Sequence, residues 1–127
     1  MSVRDAMSSE VLTVGPEHTL REASRLMRSR HVGAAVVVDP DGEGAGILTE
    51  RDVLIALADG ADPDVETVAK HQTSEIVYAA PTWTLSQAAE AMLRGGFRHL
   101  VVLEEGEVSG VLSVRDIVRM WAADRSS

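Results

Sequence analysis

The chain has 127 residues, enough for one domain with a substantial core or for two short repeats that share one. Twenty acidic against twelve basic residues give a formal charge of −8, which argues against nucleic acid and anionic membrane surfaces as partners. The absence of cysteine removes disulfides, thiolate metal sites and a Cys nucleophile, and is compatible with the reducing cytoplasm.

In chain order, residues 1–7 carry no apolar stretch behind Arg4, so neither a signal peptide nor a membrane anchor is expected, and residues 3–7 read as a short helical turn. Val11-Leu12-Thr13-Val14 is a brief extended segment closed by Gly15-Pro16. Thr19 with Glu22 three residues on is a capping box. Behind it Leu20, Ala23, Leu26 and Met27 recur at helical spacing and give one apolar face, and Arg28 and Arg30 suit the helix C-terminus. The run Ala34–Val38 has no alternation, as expected of a strand buried on both faces, and is far too short to span a bilayer. Asp39-Pro40-Asp41-Gly42 is a turn, Ala45–Thr49 returns as a second strand, and Val53, Leu54, Ile55 and Leu57 place a helix over residues 51–58, ended by Asp59-Gly60.

Residues 61–74 carry Asp62-Pro63-Asp64 and little periodicity beyond Val65, Val68 and a turn around Ala69; they read as a linker. The order then repeats. Residues 76–78 are extended, Thr84 and Gln87 cap a helix over residues 84–93 with Gly95-Gly96 as its stop, residues 100–103 and 108–113 form a hairpin, and a last helix over 116–122 leads to a polar tail, 124–127.

The duplication is visible residue by residue. Gly46-Ile47-Leu48-Thr49-Glu50-Arg51-Asp52 returns as Gly110-Val111-Leu112-Ser113-Val114-Arg115-Asp116, and Thr19-Leu20-Arg21-Glu22-Ala23 is echoed by Thr84-Leu85-Ser86-Gln87-Ala88. Pro16 and Met27 recur as Pro81 and Met92, an offset of sixty-five that drops by one across the hairpin loops, where a length change costs little. The chain divides into a first repeat (1–60), a linker (61–74) and a second repeat (75–127). Each repeat is a β-α-β-β-α unit whose sheet face needs a partner, and pairing the two supplies one. The four histidines show no i, i+4 ligand spacing, and no nucleophile elbow, P-loop or dinucleotide fingerprint occurs.

With the repeat, the order of elements and the Gly-apolar-apolar-Thr/Ser-x-x-Asp stretch, the chain resembles the cystathionine-β-synthase (CBS) domain family in its paired form. Val3-Arg4-Asp5-Ala6-Met7, Thr13-Val14-x-Pro16, Val32-Gly33-Ala34 and Arg98-His99-Leu100 are further family-like phrases. The resemblance implies an α/β fold of two repeats about a pseudo-twofold axis, with clefts between them that hold adenosine compounds. It also implies a stand-alone, non-catalytic regulatory protein that forms a homodimer, needs no cofactor and answers to AMP, ADP, ATP or S-adenosylmethionine on behalf of a protein partner that the sequence does not name. The alternative is a ligand-free interaction module.

Carried over residue by residue, the resemblance gives ribose contacts to Asp52 with Thr49 and to Asp116 with Ser113. The chemistry fits, since a vicinal diol offers two donors and a carboxylate several acceptor sites. The same tetrads are also ordinary helix caps. Arg51, Arg115, Arg98 and His99 are candidates for phosphate contacts, against a reading as solvated surface groups. Gly33 and Ala34, the counterparts of Arg98 and His99, lack this chemistry, so the two sites are expected to differ. The resemblance also puts Thr13 at a position that contacts the nucleoside; its bulkier counterpart Tyr78 could stack on a base or fill the pocket, against a reading as a core or rim tyrosine. Trp83 and Trp121 read as packing or dimer residues.

Overall fold

The computed structural model describes residues 1–41 and 45–126. Gly42, the last residue of the predicted first turn, lies outside them; before it, the backbone N–H of Asp41 donates to Asp39 Oδ1 at 2.9 Å, as a turn-forming aspartate does. The elements run α1 (Val3–Ala6), β1 (Thr13–Val14), α2 (Leu20–Arg30), β2 (Ala34–Val38), β3 (Ala45–Thr49), α3 (Glu50–Ala58), α4 (Val68–His71), β4 (Tyr78–Ala79), α5 (Leu85–Gly95), β5 (His99–Glu104), β6 (Glu107–Ser113) and α6 (Val114–Ser126). They fall into two compact units. Leu12–Ile76 is called here the Asp52 unit; Met1–Val11 with Val77–Ser127 is the Asp116 unit.

Each unit holds one three-stranded sheet with its first strand parallel and its third antiparallel to the middle one. In the Asp52 unit Thr13 pairs with Val36 and Ala34 with Thr49; in the Asp116 unit Tyr78 pairs with Val101 and His99 with Ser113. The second hairpin turns through Glu105 and Gly106, both at positive φ, as a two-residue loop between right-twisted strands requires. Alternation sends Val14, Ala35, Val37 and Leu48 to one face, where Leu20, Ala23 and Met27 of α2, Ala56 of α3 and Val68 of α4 close the core. The equivalent core of the other unit joins Ala79, Leu100, Val102 and Leu112 to Ala88 and Met92 of α5 and to Val3 and Ala6 of α1.

The capping boxes form as the sequence indicates. Thr19 Oγ1 accepts the Glu22 N–H at 3.1 Å while Glu22 takes the Thr19 N–H, and Thr84 with Gln87 repeats the pattern. Both helices stop on a left-handed residue, His31 at φ 56 and Gly96 at φ 69.

The residues preceding each set of strands behave alike. Helix α4 lies within the stretch read as a linker, and its neighbourhood matches that of α1. The N–H groups of Val68 and Ala69 donate to the His18 and Pro16 carbonyls, as those of Val3 and Arg4 do to Trp83 and Pro81. Loop carbonyls thus satisfy donors that so short a helix leaves open. Beyond each helix comes one bridge to the third strand. Thr73 exchanges backbone hydrogen bonds with Ile47 at 2.8 and 2.9 Å, and Ser8 does so with Val111 at 3.0 and 3.1 Å. Residues 67–73 therefore repeat residues 2–8.

Three expectations shift. The strands predicted at 11–14 and 76–78 reduce to Thr13–Val14 and Tyr78–Ala79, because only two pairs per strand reach the middle strand. Val38, at the turn end of β2, is 47% exposed, so that strand is not covered along its whole length. The last helix begins at Val114, directly behind its Ser113 cap, and runs to Ser126, taking in most of the predicted polar tail.

Candidate functional site

The two tetrads sit at corresponding places, each where a third strand passes directly into a helix. In the Asp52 unit the Asp52 N–H donates to Thr49 Oγ1 at 3.1 Å and the Thr49 N–H to Asp52 Oδ2 at 2.9 Å. In the Asp116 unit the corresponding distances are 3.0 and 2.8 Å from Asp116 N–H to Ser113 Oγ and from Ser113 N–H to Asp116 Oδ2. Both aspartates are therefore helix-capping groups, and the cap engages one oxygen of each. A carboxylate has about four lone-pair sites, so acceptor capacity remains on both. Both side chains are part-buried, which favours a fixed orientation.

What else meets the carboxylates differs. Thr73 Oγ1 lies 3.3 Å from Asp52 Oδ1 and 3.4 Å from Oδ2, a hydroxyl donor shared across the group. Asp116 instead faces Arg119, one turn along its own helix, with Nη1 at 3.1 Å from Oδ1. The Ser8 hydroxyl, at the place corresponding to Thr73, turns to the Glu10 carbonyl at 3.5 Å. Neither Thr73 nor Arg119 is among the residues the motif singles out. The i, i+3 spacing is the signal of Arg119; the match of Thr73 to Ser8 does not by itself place Thr73 at the carboxylate.

Strand register gathers the other candidates. Thr13, Ala34, Val36 and Thr49 share the sheet face opposite the core of the Asp52 unit, and Tyr78, His99, Val101 and Ser113 do so in the Asp116 unit. Arg98 precedes His99, and its carbonyl accepts the Val114 N–H at 2.9 Å, so it adjoins the Ser113–Asp116 tetrad. At the corresponding place a side chain on Gly33 would meet the Glu50 carboxylate, whose Oε1 lies 3.1 Å from where the Cβ would stand. One unit thus offers a carboxylate where the other offers an arginine. Arg51, Arg98 and Arg115 are exposed and pair with no carboxylate among the described residues. Tyr78 is 36% exposed, a rim and not a core position. Met27 lies in the Asp52 core. Trp83 packs on the Asp116 core, whereas Trp121 is exposed.

Among the described residues no group of three His, Asp or Glu side chains is placed to hold a metal ion, and no helix is long and apolar enough to cross a membrane.

The comparisons agree with this frame. The CBS domain family model matches residues 3–59 and again 65–123. The CBS domain-containing protein YhcV of Bacillus subtilis is 32% identical over 117 residues, 91% of this chain and 82% of that protein. An uncharacterized protein of Methanocaldococcus jannaschii, MJ1225, is 31% identical over 122 residues; the match takes 96% of this chain but spans only 43% of that longer protein. Among solved structures, the CBS-domain containing protein ATU1752 of Agrobacterium tumefaciens superposes with a TM-score of 0.82 at 34% identity, over 92% of this chain and 88% of that one. Two matched copies of one domain, each on a β-α-β-β-α frame, leave one assignment: the chain belongs to the CBS domain family and carries a tandem pair of its domains.

Proposed function

We propose that this CBS pair is a non-catalytic regulatory module that binds an adenosine-containing ligand, of the class of AMP, ADP, ATP or S-adenosylmethionine, through the ribose hydroxyls. The observation that carries the reading is the pair of half-buried carboxylates, Asp52 and Asp116, each held in orientation by its own cap and each with acceptor capacity beyond it. Arg51, Arg98, Arg115 and His99 are the candidate phosphate contacts, and Thr13 and Tyr78 the candidate nucleoside contacts. The module works in the cytoplasm as a homodimer, and its ligand alters a surface that a protein partner reads. The exposed apolar side chains of α3 (Leu54, Ile55 and Leu57) and α6 (Val118 and Trp121) support association with a second copy. The ligand shifts this surface by no more than its differential affinity for the two arrangements.

The test is a thermal-melt panel with AMP, ADP, ATP and S-adenosylmethionine on the wild type and on Asp52→Asn and Asp116→Asn, which keep a capping oxygen but remove the charge. A ligand at a hundredfold over its dissociation constant stabilises by about 2.7 kcal/mol, a shift of several degrees. A shift with one compound that one Asn variant removes supports the reading and identifies the working carboxylate. No shift with any of the four overturns it in favour of a ligand-free interaction module.

A further inference from the structure

We infer that Thr73 is a positioning residue for Asp52, and that through it residues 67–73 respond to ligand at that carboxylate and not at Asp116. The inference rests on the adenosine-ligand reading above. Its ground is an asymmetry between places that otherwise match. Residues 67–73 and 2–8 have the same short helix, the same two N–H donors to loop carbonyls and the same bridge to the third strand. Of the two matching hydroxyls, that of Thr73 reaches a motif aspartate and that of Ser8 does not. Thr73 spans both oxygens of Asp52 at 3.3 and 3.4 Å, while Ser8 turns to Glu10 and leaves Asp116 to Arg119.

The consequence follows from hydrogen-bond capacity. The cap fixes Asp52 Oδ2 through the Thr49 N–H, which alone permits the carboxylate to swing about that contact. A second donor, set on a backbone that is itself bridged to Ile47, removes that freedom and aims Oδ1. The hydroxyl also retains acceptor lone pairs, so a ribose hydroxyl arriving at Oδ1 meets Thr73 as well. Ligand at Asp52 therefore holds Thr73, and with it the bridge that anchors residues 67–73. Ligand at Asp116 meets no hydroxyl from the matching segment: Arg119, on the aspartate's own helix, pairs with Oδ1 and reaches residues 2–8 only by donating from Nη2 to the Ala6 carbonyl at 3.3 Å.

The experiment titrates the full chain with AMP, ATP and S-adenosylmethionine by calorimetry, in the wild type and in Thr73→Val, Thr73→Ser, Ser8→Ala and Asp52→Asn. Valine keeps the β-branched shape and removes only the hydroxyl. For a compound whose binding needs Asp52, Thr73→Val weakens affinity about five- to tenfold, Thr73→Ser restores it to within about twofold, and Ser8→Ala leaves it unchanged. In hydrogen exchange the same compound slows the Thr73 and Ile47 amides in the wild type and not in Thr73→Val. Wild-type affinity in Thr73→Val, or failure of the serine to rescue, overturns the role of Thr73 while the ligand reading stands. If no compound binds, or none depends on Asp52, the ligand reading of that carboxylate falls and this inference with it.

Discussion

The Asp52 and Asp116 units share their strand order, their capping boxes, their cores and even the two N–H donors that seat α4 and α1, yet they differ at several side chains among the candidate site residues. Thr73 stands against Arg119, Glu50 over Gly33 stands against Arg98, and Thr13 stands against Tyr78. The division has a physical basis. Positions that satisfy backbone groups or fill the core have few acceptable occupants, so duplication preserves them. On the sheet face opposite the core Val36, Val101, Thr49 and Ser113 still carry such duties, but Thr13 and Tyr78 do not, and there the copies are free to take up different ligand chemistry.

If the two cores are equivalent, equal damage to each should cost about the same. Leu48 and Leu112 occupy corresponding places and both have no exposed surface. Leu48→Ala and Leu112→Ala are each expected to lose about 3 kcal/mol of unfolding free energy in urea titrations, the range for a leucine removed from a packed core. A large difference between them would break the symmetry argued above.

The glycines opening the repeated motif sharpen the comparison, because their surroundings are not alike. A Cβ on Gly110 would stand 2.8 Å from the Ser8 carbonyl oxygen, the group that accepts the Val111 N–H, so an added methyl presses on the bridge itself. A Cβ on Gly46 would meet Gln72 Oε1, the far end of a flexible side chain. That oxygen is buried with no hydrogen-bond partner among the described residues, and swinging it to water recovers one. Gly110→Ala is expected to cost about 2 kcal/mol and Gly46→Ala less than about 1, measured by the same unfolding.

These contacts also mark what the sequence shows and what it hides. Thr19-x-x-Glu22, the Ala34–Val38 run and the doubled Gly-to-Asp stretch carry their meaning locally, through spacing alone, and the elements they imply are present. The boundaries of β1 and β4 were out of reach because pairing with the middle strand, not local preference, ends them. Helix α4 is only four residues long and draws its stability from His18, Pro16 and the core, so residues 61–74 show almost no period. At the candidate site the aspartates are legible from the motif. Thr73 is not, because it lies twenty-one residues from the carboxylate it meets and only the folded chain joins them.

A smaller effect is expected at the helix ends. Helices α2 and α5 both close on a left-handed residue, but α2 places His31 there, where a Cβ crowds the carbonyl, while α5 uses Gly96. His31→Gly is expected to gain about 1 kcal/mol and Gly96→Ala to lose about the same, read as opposite shifts in the melting temperature. Equal signs would show that His31 makes compensating contacts.

The last contrast lies at the helix starts and is a matter of pH. Glu22 closes the α2 box and Gln87 the α5 box, so the same hydrogen bond is titratable in one unit and not in the other. The Thr19 N–H, and next the Thr19 hydroxyl, hold the Glu22 carboxyl below the usual glutamate range. A depressed folded value means that the ionised cap contributes stability above the unfolded pKa and loses it as pH falls through the folded one. Asp64 beside Arg21 and Glu66 beside Lys70 and His71 in the same unit, and Asp5 beside Ser2 in the other, are lowered as well, so the acid limb of the whole protein reports several groups together. Substitution isolates one of them. Glu22→Gln is expected to flatten the acid limb slightly, and Gln87→Glu to steepen it, with neither changing the plateau near neutrality much. In amide spectra the Thr19 proton, which donates to Glu22 Oε1, should move as the pH falls through the carboxylate range, while the Thr84 proton, which donates to the Gln87 amide oxygen, stays still. Parallel movement of both protons would mean that α2 and α5 loosen together in acid, and that the cap chemistry of one unit is felt in the other.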